Sequence, residues 1–162
     1  DWVNDLFEQS AESTYENEVE AALSSAIMEN STFKELPEEM VERYTQSIEN
    51  SMSVRAASVG MNLAQYMQFY QGLDEAGYRA VFDEQGEQMT KRYIMYQAIA
   101  DKEGLMPTKE EIDEETSELT TLYGYASREE LEKSVDMQSV EEDLMRKKVV
   151  AFLKENGNIH EP

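Results

Sequence analysis

The 162-residue chain sets 35 Asp and Glu against 14 Lys and Arg, a formal net charge of −21, so DNA, RNA and anionic membrane surfaces, which are bound by neutralising phosphates with cations, are not expected as direct partners. Its length predicts a single domain over residues 1–162, and the lack of any Cys removes disulfide frameworks and thiolate metal sites, which fits a reducing, cytoplasmic setting. No window approaches the roughly 18 to 20 apolar residues of a spanning helix, no basic leader precedes an apolar stretch, and the start at Asp1 reads as that of a fragment cut from a longer protein.

High charge with few apolar residues is a signature of disorder, but helical periodicity overrides it, and seven helices are predicted. The first runs from about Asp5 to Asn30, with Phe7, Ala11, Tyr15, Val19, Ala22 and Ala26 as its apolar stripe. Pro37 opens the second, which continues to about Gly60 through Val41, Tyr44, Ile48, Met52, Ala56 and Val59, since a fixed φ and a missing N–H suit a first turn. Asn62 with Gln65 forms a capping box, each side chain satisfying a backbone donor of the other, and starts a short helix that stops at Gly72. From Asp74 to Glu103 a long helix carries Phe82, Met89, Tyr93, Tyr96 and Ala100 on one face; Gly77 and Gly86 weaken its first half, by about 1 kcal/mol each if exposed. Three more capping boxes, Thr108 with Glu111, Ser127 with Glu130 and Ser139 with Glu142, start helices over about 109–123, 128–134 and 140–155. Stretches of alternating β-branched residues between hairpin turns do not occur, so the class is all-α.

A search for chemistry finds little. The one histidine, His160, stands beyond Gly157 without a second imidazole or thiol to share a metal. A carboxylate-bridged di-iron site needs Glu-x-x-His pairs that are absent, and neighbouring acids such as Glu38 and Glu39 or Asp113, Glu114 and Glu115 point in different directions on a helix. Neither a phosphate-cradling glycine loop nor a nucleophile elbow is present. The chain therefore reads as no enzyme, with no metal and no cofactor.

The supply of 10 Met, 9 Tyr and 5 Phe in so polar a chain is unusual. Flexible methionine and amphipathic tyrosine repack against many partners without stranding polar groups, which suits an adaptable binding surface. Around the short third helix, Leu63, Tyr66, Met67, Phe69 and Tyr70 surround more of the circumference than one packing face buries.

The order of these elements resembles a known family. Met28-Glu29-Asn30 ends a pre-proline helix, and Phe33-Lys34-Glu35-Leu36-Pro37-Glu38-Glu39-Met40-Val41-Glu42-Arg43 follows. Farther on, Gln97-Ala98-Ile99-Ala100-Asp101-Lys102-Glu103-Gly104-Leu105 leads through Thr108-Lys109-Glu110-Glu111-Ile112 to Leu122-Tyr123-Gly124, and Leu144-Met145-Arg146-Lys147-Lys148-Val149-Val150-Ala151-Phe152-Leu153 closes the chain. From about Thr14 to Ile159 this succession is similar to the C-terminal domain of the bacterial trigger factor family. The resemblance implies an elongated helical fold with two projecting arms whose inner faces form an apolar cradle for unfolded or nascent polypeptide, working without ATP or a cofactor. The family's ribosome-docking and prolyl-isomerase domains have no counterpart in these residues, so ribosome contact is expected only through domains outside them, while a homodimer is compatible with the same surfaces. The expected client contacts are Leu63, Met67, Phe69 and Tyr70, the helix around Met89, Tyr93 and Tyr96, and Met52 from the second stripe; the acidic surface favours clients with basic segments. Two other readings are the helical domain of an extracytoplasmic parvulin-type foldase and a helical assembly module with one defined partner.

Overall fold

The computed structural model of the protein describes the backbone of residues 2–157 and the side chains of residues 14–157 other than residue 16. Among them it shows seven α-helices and no strand: α1 (Trp2–Glu29), α2 (Glu38–Ser58), α3 (Leu63–Gln71), α4 (Glu75–Glu103), α5 (Lys109–Leu122), α6 (Arg128–Ser134) and α7 (Met137–Asn156). This is the all-α class expected. His160 and the side chains of Phe7 and Ala11 lie outside the described residues. The chain forms two compact units, an inserted one of Ser31–Ile94 and a split one of Asp1–Asn30 with Met95–Pro162.

In the inserted unit, Glu38 and Glu39 occupy the first turn of α2 and Arg55 its last, charges that complement the partial charges at the helix ends. Gly60, at φ 75°, closes α2: its N–H donates to the Ala57 carbonyl, and that of Met61 donates to Ala56, the paired bonds that satisfy orphan carbonyls at a helix end. Met67, Tyr78 and Phe82 form the core, with Ile48, Met52, Leu63, Tyr66, Leu73 and Val81 packed half-buried around it. Rings of Tyr78 and Phe82 meet at 5.5 Å between centroids.

Gly86 is no weak point. It is buried, and a Cβ there would stand 2.2 Å from Thr45 Oγ1, 3.0 Å from the Val41 carbonyl oxygen and 3.1 Å from the Thr45 nitrogen. The missing side chain is what lets α4 lie directly on α2. The buried Thr90 hydroxyl, one turn on, donates to the Gly86 carbonyl at 2.8 Å.

In the split unit, Leu131 of α6, Val140, Met145, Val149 and Val150 of α7, Thr116 of α5, and Met95, Tyr96 and Ala100 of α4 are buried. On α1 the predicted stripe is displaced. Of its described members Val19 is half-buried, but Tyr15, Ala22 and Ala26 are exposed, whereas Ser24 is buried and Glu20, Leu23 and Ile27 are half-buried, the side on which Arg146 of α7 pairs with Glu20. The start of α7 also differs from the prediction. Asp136, not Ser139, caps it, accepting from the Gln138 N–H at 3.1 Å, and Ser139 donates its hydroxyl to Asp136 instead. Asp and Ser cap about equally well, and since Asp136 comes first and its carboxylate takes the Gln138 N–H, the helix begins at Met137.

Candidate functional site

Among the described residues, each unit has a surface on which neighbouring large apolar side chains stand in water. The first is built on α3. Its capping box, Asn62 with Gln65 in both directions, and its end at Gly72 restrict it to nine residues, too few to bury more than one side. Met67 faces the core at 4% exposure, and Leu63 and Tyr66 are half-buried. On the opposite side Phe69 is 71% and Tyr70 52% exposed. Tyr70 lies between its neighbours, 4.7 Å from the Tyr66 ring and 4.9 Å from the Phe69 ring, so the three rings make one continuous patch.

The structure sorts the remaining predicted contact residues. Met89 is exposed, Met52 and Tyr93 are half-buried, and Tyr96 is buried among the residues of the split unit. Met67 and Tyr96 thus sit beneath the surface.

The second surface was legible only as a landmark of helix order. On α5, Ile112 is half-buried and Thr116 buried, the Thr116 hydroxyl being satisfied by the Ile112 carbonyl at 2.6 Å. One turn beyond Leu119, Leu122 and Tyr123 stand 75% and 69% exposed. Gly124, at φ 71°, then reverses the chain, and the Tyr125 N–H donates to the Thr120 carbonyl. Two open grooves flank this end of α5. One, of about 720 Å³, is lined by Glu114, Glu118, Leu119, Thr121 and Leu122; the other, of about 520 Å³, has Leu119, Tyr123, Leu131, Val135 and Val140 among its walls. Glu115 and Lys147 belong to both.

The electrostatics of this region come from the Arg146-Lys147-Lys148 run of α7, whose members reach in different directions. Arg146 pairs with Glu20 and Asp143, Lys147 with Glu115 at 2.7 Å and Asp143 at 3.2 Å, and Lys148 with Glu111 at 2.6 Å. The hydrogen bond to Glu115 raises the Lys147 ammonium above its ordinary value. Burial pushes the Asp143 carboxyl up, but hydrogen bonds from Arg146 and Lys147 outweigh it and hold the group below the ordinary range. Among the described residues no group of three His, Cys, Asp or Glu has a metal-binding arrangement. Nor is any helix there long and apolar enough to cross a membrane.

Comparison with known proteins settles the family. Residues 3–155 match the model of the bacterial trigger factor protein (TF) C-terminus. The chain belongs to the trigger factor family. It is 31% identical to the trigger factor of Geobacillus sp. (strain WCH70), over 97% of this chain and 37% of that protein. Similarity to the trigger factor of Desulforamulus reducens reaches 32% identity, over 97% of this chain and 35% of the relative; with that of Clostridium beijerinckii it is 31%, over 87% and 33%. The chain therefore spans about a third of the length of the curated trigger factors it matches. No solved structure matches it.

Proposed function

We propose that this trigger factor domain is a chaperone module that holds segments of unfolded or nascent polypeptide against exposed apolar side chains, without ATP, cofactor or chemistry of its own. The observation that carries the reading is the exposure of Phe69 and Tyr70 on α3 and of Leu122 and Tyr123 on α5 in a chain with a net charge of −21. Charge repels one copy from another and keeps such a chain soluble while greasy side chains stay open. Met89, with Met52, Leu63 and Tyr93 half-exposed beside it or near the α3 core, supplies adaptable contact; Met67 and Tyr96 support the surface from beneath. The cradle between projecting arms, the cytoplasmic setting, and ribosome attachment through domains outside this chain are part of the same proposal, which membership of the family supports.

The test is suppression of aggregation of a chemically denatured client, followed by light scattering at several salt concentrations. Phe69→Ser/Tyr70→Ser and Leu122→Ser/Tyr123→Ser, all surface changes expected to shift stability by no more than about 0.5 kcal/mol each, should each weaken holding several-fold while circular dichroism melts stay unchanged. Holding by apolar contact should survive added salt, since only charge contacts are screened. Wild-type suppression by both double variants would remove the proposal.

A further inference from the structure

Between the two grooves at the end of α5 stands one ion pair, Lys147 with Glu115. Its halves are unequal. Glu115 is tucked in, with 17% of its side chain exposed, whereas Lys147 is 49% exposed. The acceptor is therefore fixed and the donor is a solvated ammonium on a flexible four-carbon stem. Asp143, in reach of the same ammonium, also lines the smaller groove. The flanking cations, Arg146 and Lys148, line neither groove and are tied to Glu20, Asp143 and Glu111. Taken together the grooves carry the carboxylates of Glu114, Glu115, Glu118 and Asp143 against the single ammonium of Lys147, a net of three negative charges around an apolar floor of Leu119, Leu122 and Leu131.

We infer that Lys147 is a built-in stand-in for a basic side chain of the client: it occupies Glu115 and Asp143 in the free protein and gives them up to a Lys or Arg that lies next to an apolar anchor in the groove. The inference rests on the groove being a client surface, as proposed above, and adds the determinant of which segments bind there. Charge complementarity fixes the occupant. A stretch of unfolded chain with an aromatic or aliphatic residue close to a cation is drawn to the negative rim, seats its apolar group on Leu119 and Leu122, and exchanges one ion pair for an equivalent one. A neutral apolar segment gains the floor but leaves Lys147 where it is. The pair then acts as a threshold, because every basic client must displace an ammonium already held at high local concentration.

The experiment is a fluorescence-anisotropy titration of the 162-residue chain with two labelled nine-residue peptides of identical apolar residues, one carrying two Lys and the other two Ser in their place. The proteins are wild type, Lys147→Met, Lys147→Gln and Glu115→Gln, with circular dichroism to confirm folding. Both Lys147 variants should tighten binding of the basic peptide about two- to fivefold, the range expected for removing a competing ammonium that is itself half-exposed, and change the neutral peptide by less than twofold. Glu115→Gln should narrow the difference between the peptides. In wild type the basic peptide alone should weaken steeply with salt, a readout that needs no variant. Equal tightening of both peptides by Lys147→Met but neither by Lys147→Gln would mean a mere gain of apolar surface and would overturn the inference while leaving the groove a client site. Wild-type binding of neither peptide would remove the groove itself.

Discussion

The helices of the inserted unit are joined by apolar groups, Met67, Tyr78 and Phe82 at the centre and a glycine contact between α2 and α4, while ion pairs there such as Arg79–Glu75 and Lys91–Glu87 run along a single helix. In the split unit, apolar burial around Leu131 and Val149 is supplemented by pairs that cross from helix to helix: Arg146–Glu20 from α7 to α1, Lys147–Glu115 and Lys148–Glu111 from α7 to α5, and Arg128–Asp113 from α6 to α5. The difference shows how a strongly acidic chain uses scarce cations. Placed between elements, each neutralises carboxylates that would otherwise repel across the contact; placed along one helix, each adds only to that helix.

The sharpest way to break the comparison is to remove one core group from each unit. Phe82 is 2% exposed and Leu131 is fully buried; truncation to alanine loses transfer free energy and leaves a cavity, about 3 to 5 kcal/mol for Phe82→Ala and about 2 to 5 kcal/mol for Leu131→Ala. Amide hydrogen exchange should show protection falling first in residues 31–94 for Phe82→Ala and around α5 to α7 for Leu131→Ala. Identical loss across the whole chain in both variants would mean that the two units have no separate stability.

Next in size is Gly86→Ala. Alanine improves helix propensity by about 1 kcal/mol, and a reading from sequence alone expects stabilisation. The Val41 carbonyl and Thr45 backbone nitrogen, 3.0 and 3.1 Å from the new methyl, cannot rotate away as a side chain does, so overpacking of about 1 to 3 kcal/mol should prevail. A lowered thermal midpoint is the expected outcome; a raised one would show that α2 and α4 are free to separate.

Gly86 also marks where sequence reasoning stops. Signals confined to one turn were readable: the boxes of Asn62 with Gln65 and Thr108 with Glu111 are both present in full, and their helices start where those residues say. At Ser127 the box is half right, for its hydroxyl accepts from the Glu130 N–H while the Glu130 carboxylate accepts from Ala126 rather than from Ser127. Ser139 failed because Asp136 caps the helix earlier, at Gln138, which leaves Ser139 inside the first turn with its hydroxyl donating to Asp136. What a residue on one helix meets on another was not readable. That decided the role of Gly86, the inward side of α1, and which residues of the α3 ring face the core. Phe69 and Met67 are two positions apart in equally apolar surroundings, yet one is 71% and the other 4% exposed. Leu122 and Tyr123 left a faint trace: two bulky residues at the last turn of α5, just before Gly124 and after a stripe already supplied by Ile112 and Leu119, are surplus to one packing face.

The smallest expected effect, and the one aimed most directly at the charge ties, is that of pH. Hydrogen bonding from Lys148 holds Glu111 below its ordinary 4.5, and Asp143 lies below its ordinary 3.8. A carboxylate whose folded value is depressed contributes stability in full above its unfolded value, and that contribution disappears as pH falls through the folded one. Lys147 is raised above 10.5, so its contribution is complete below that value and is lost as pH rises through the folded one. The ties of the split unit are therefore at full strength between about pH 4.5 and 10.5, and they are lost only farther out, as pH falls through the depressed carboxylate values or rises through the raised Lys147 value. Mild acidification acts in the opposite sense on both units, since protonating exposed carboxylates relieves the repulsion of a net charge of −21. Hydrogen exchange corrected for its intrinsic pH dependence should show α5 to α7 losing protection below about pH 4 while the surroundings of Phe82 do not, because the Met67, Tyr78 and Phe82 cluster contains no carboxylate. Parallel loss in both units would mean that the cross-helix pairs are decoration on a core that apolar burial holds alone, and 1 M salt at neutral pH, which screens the same pairs without protonating them, separates that outcome from a general acid effect.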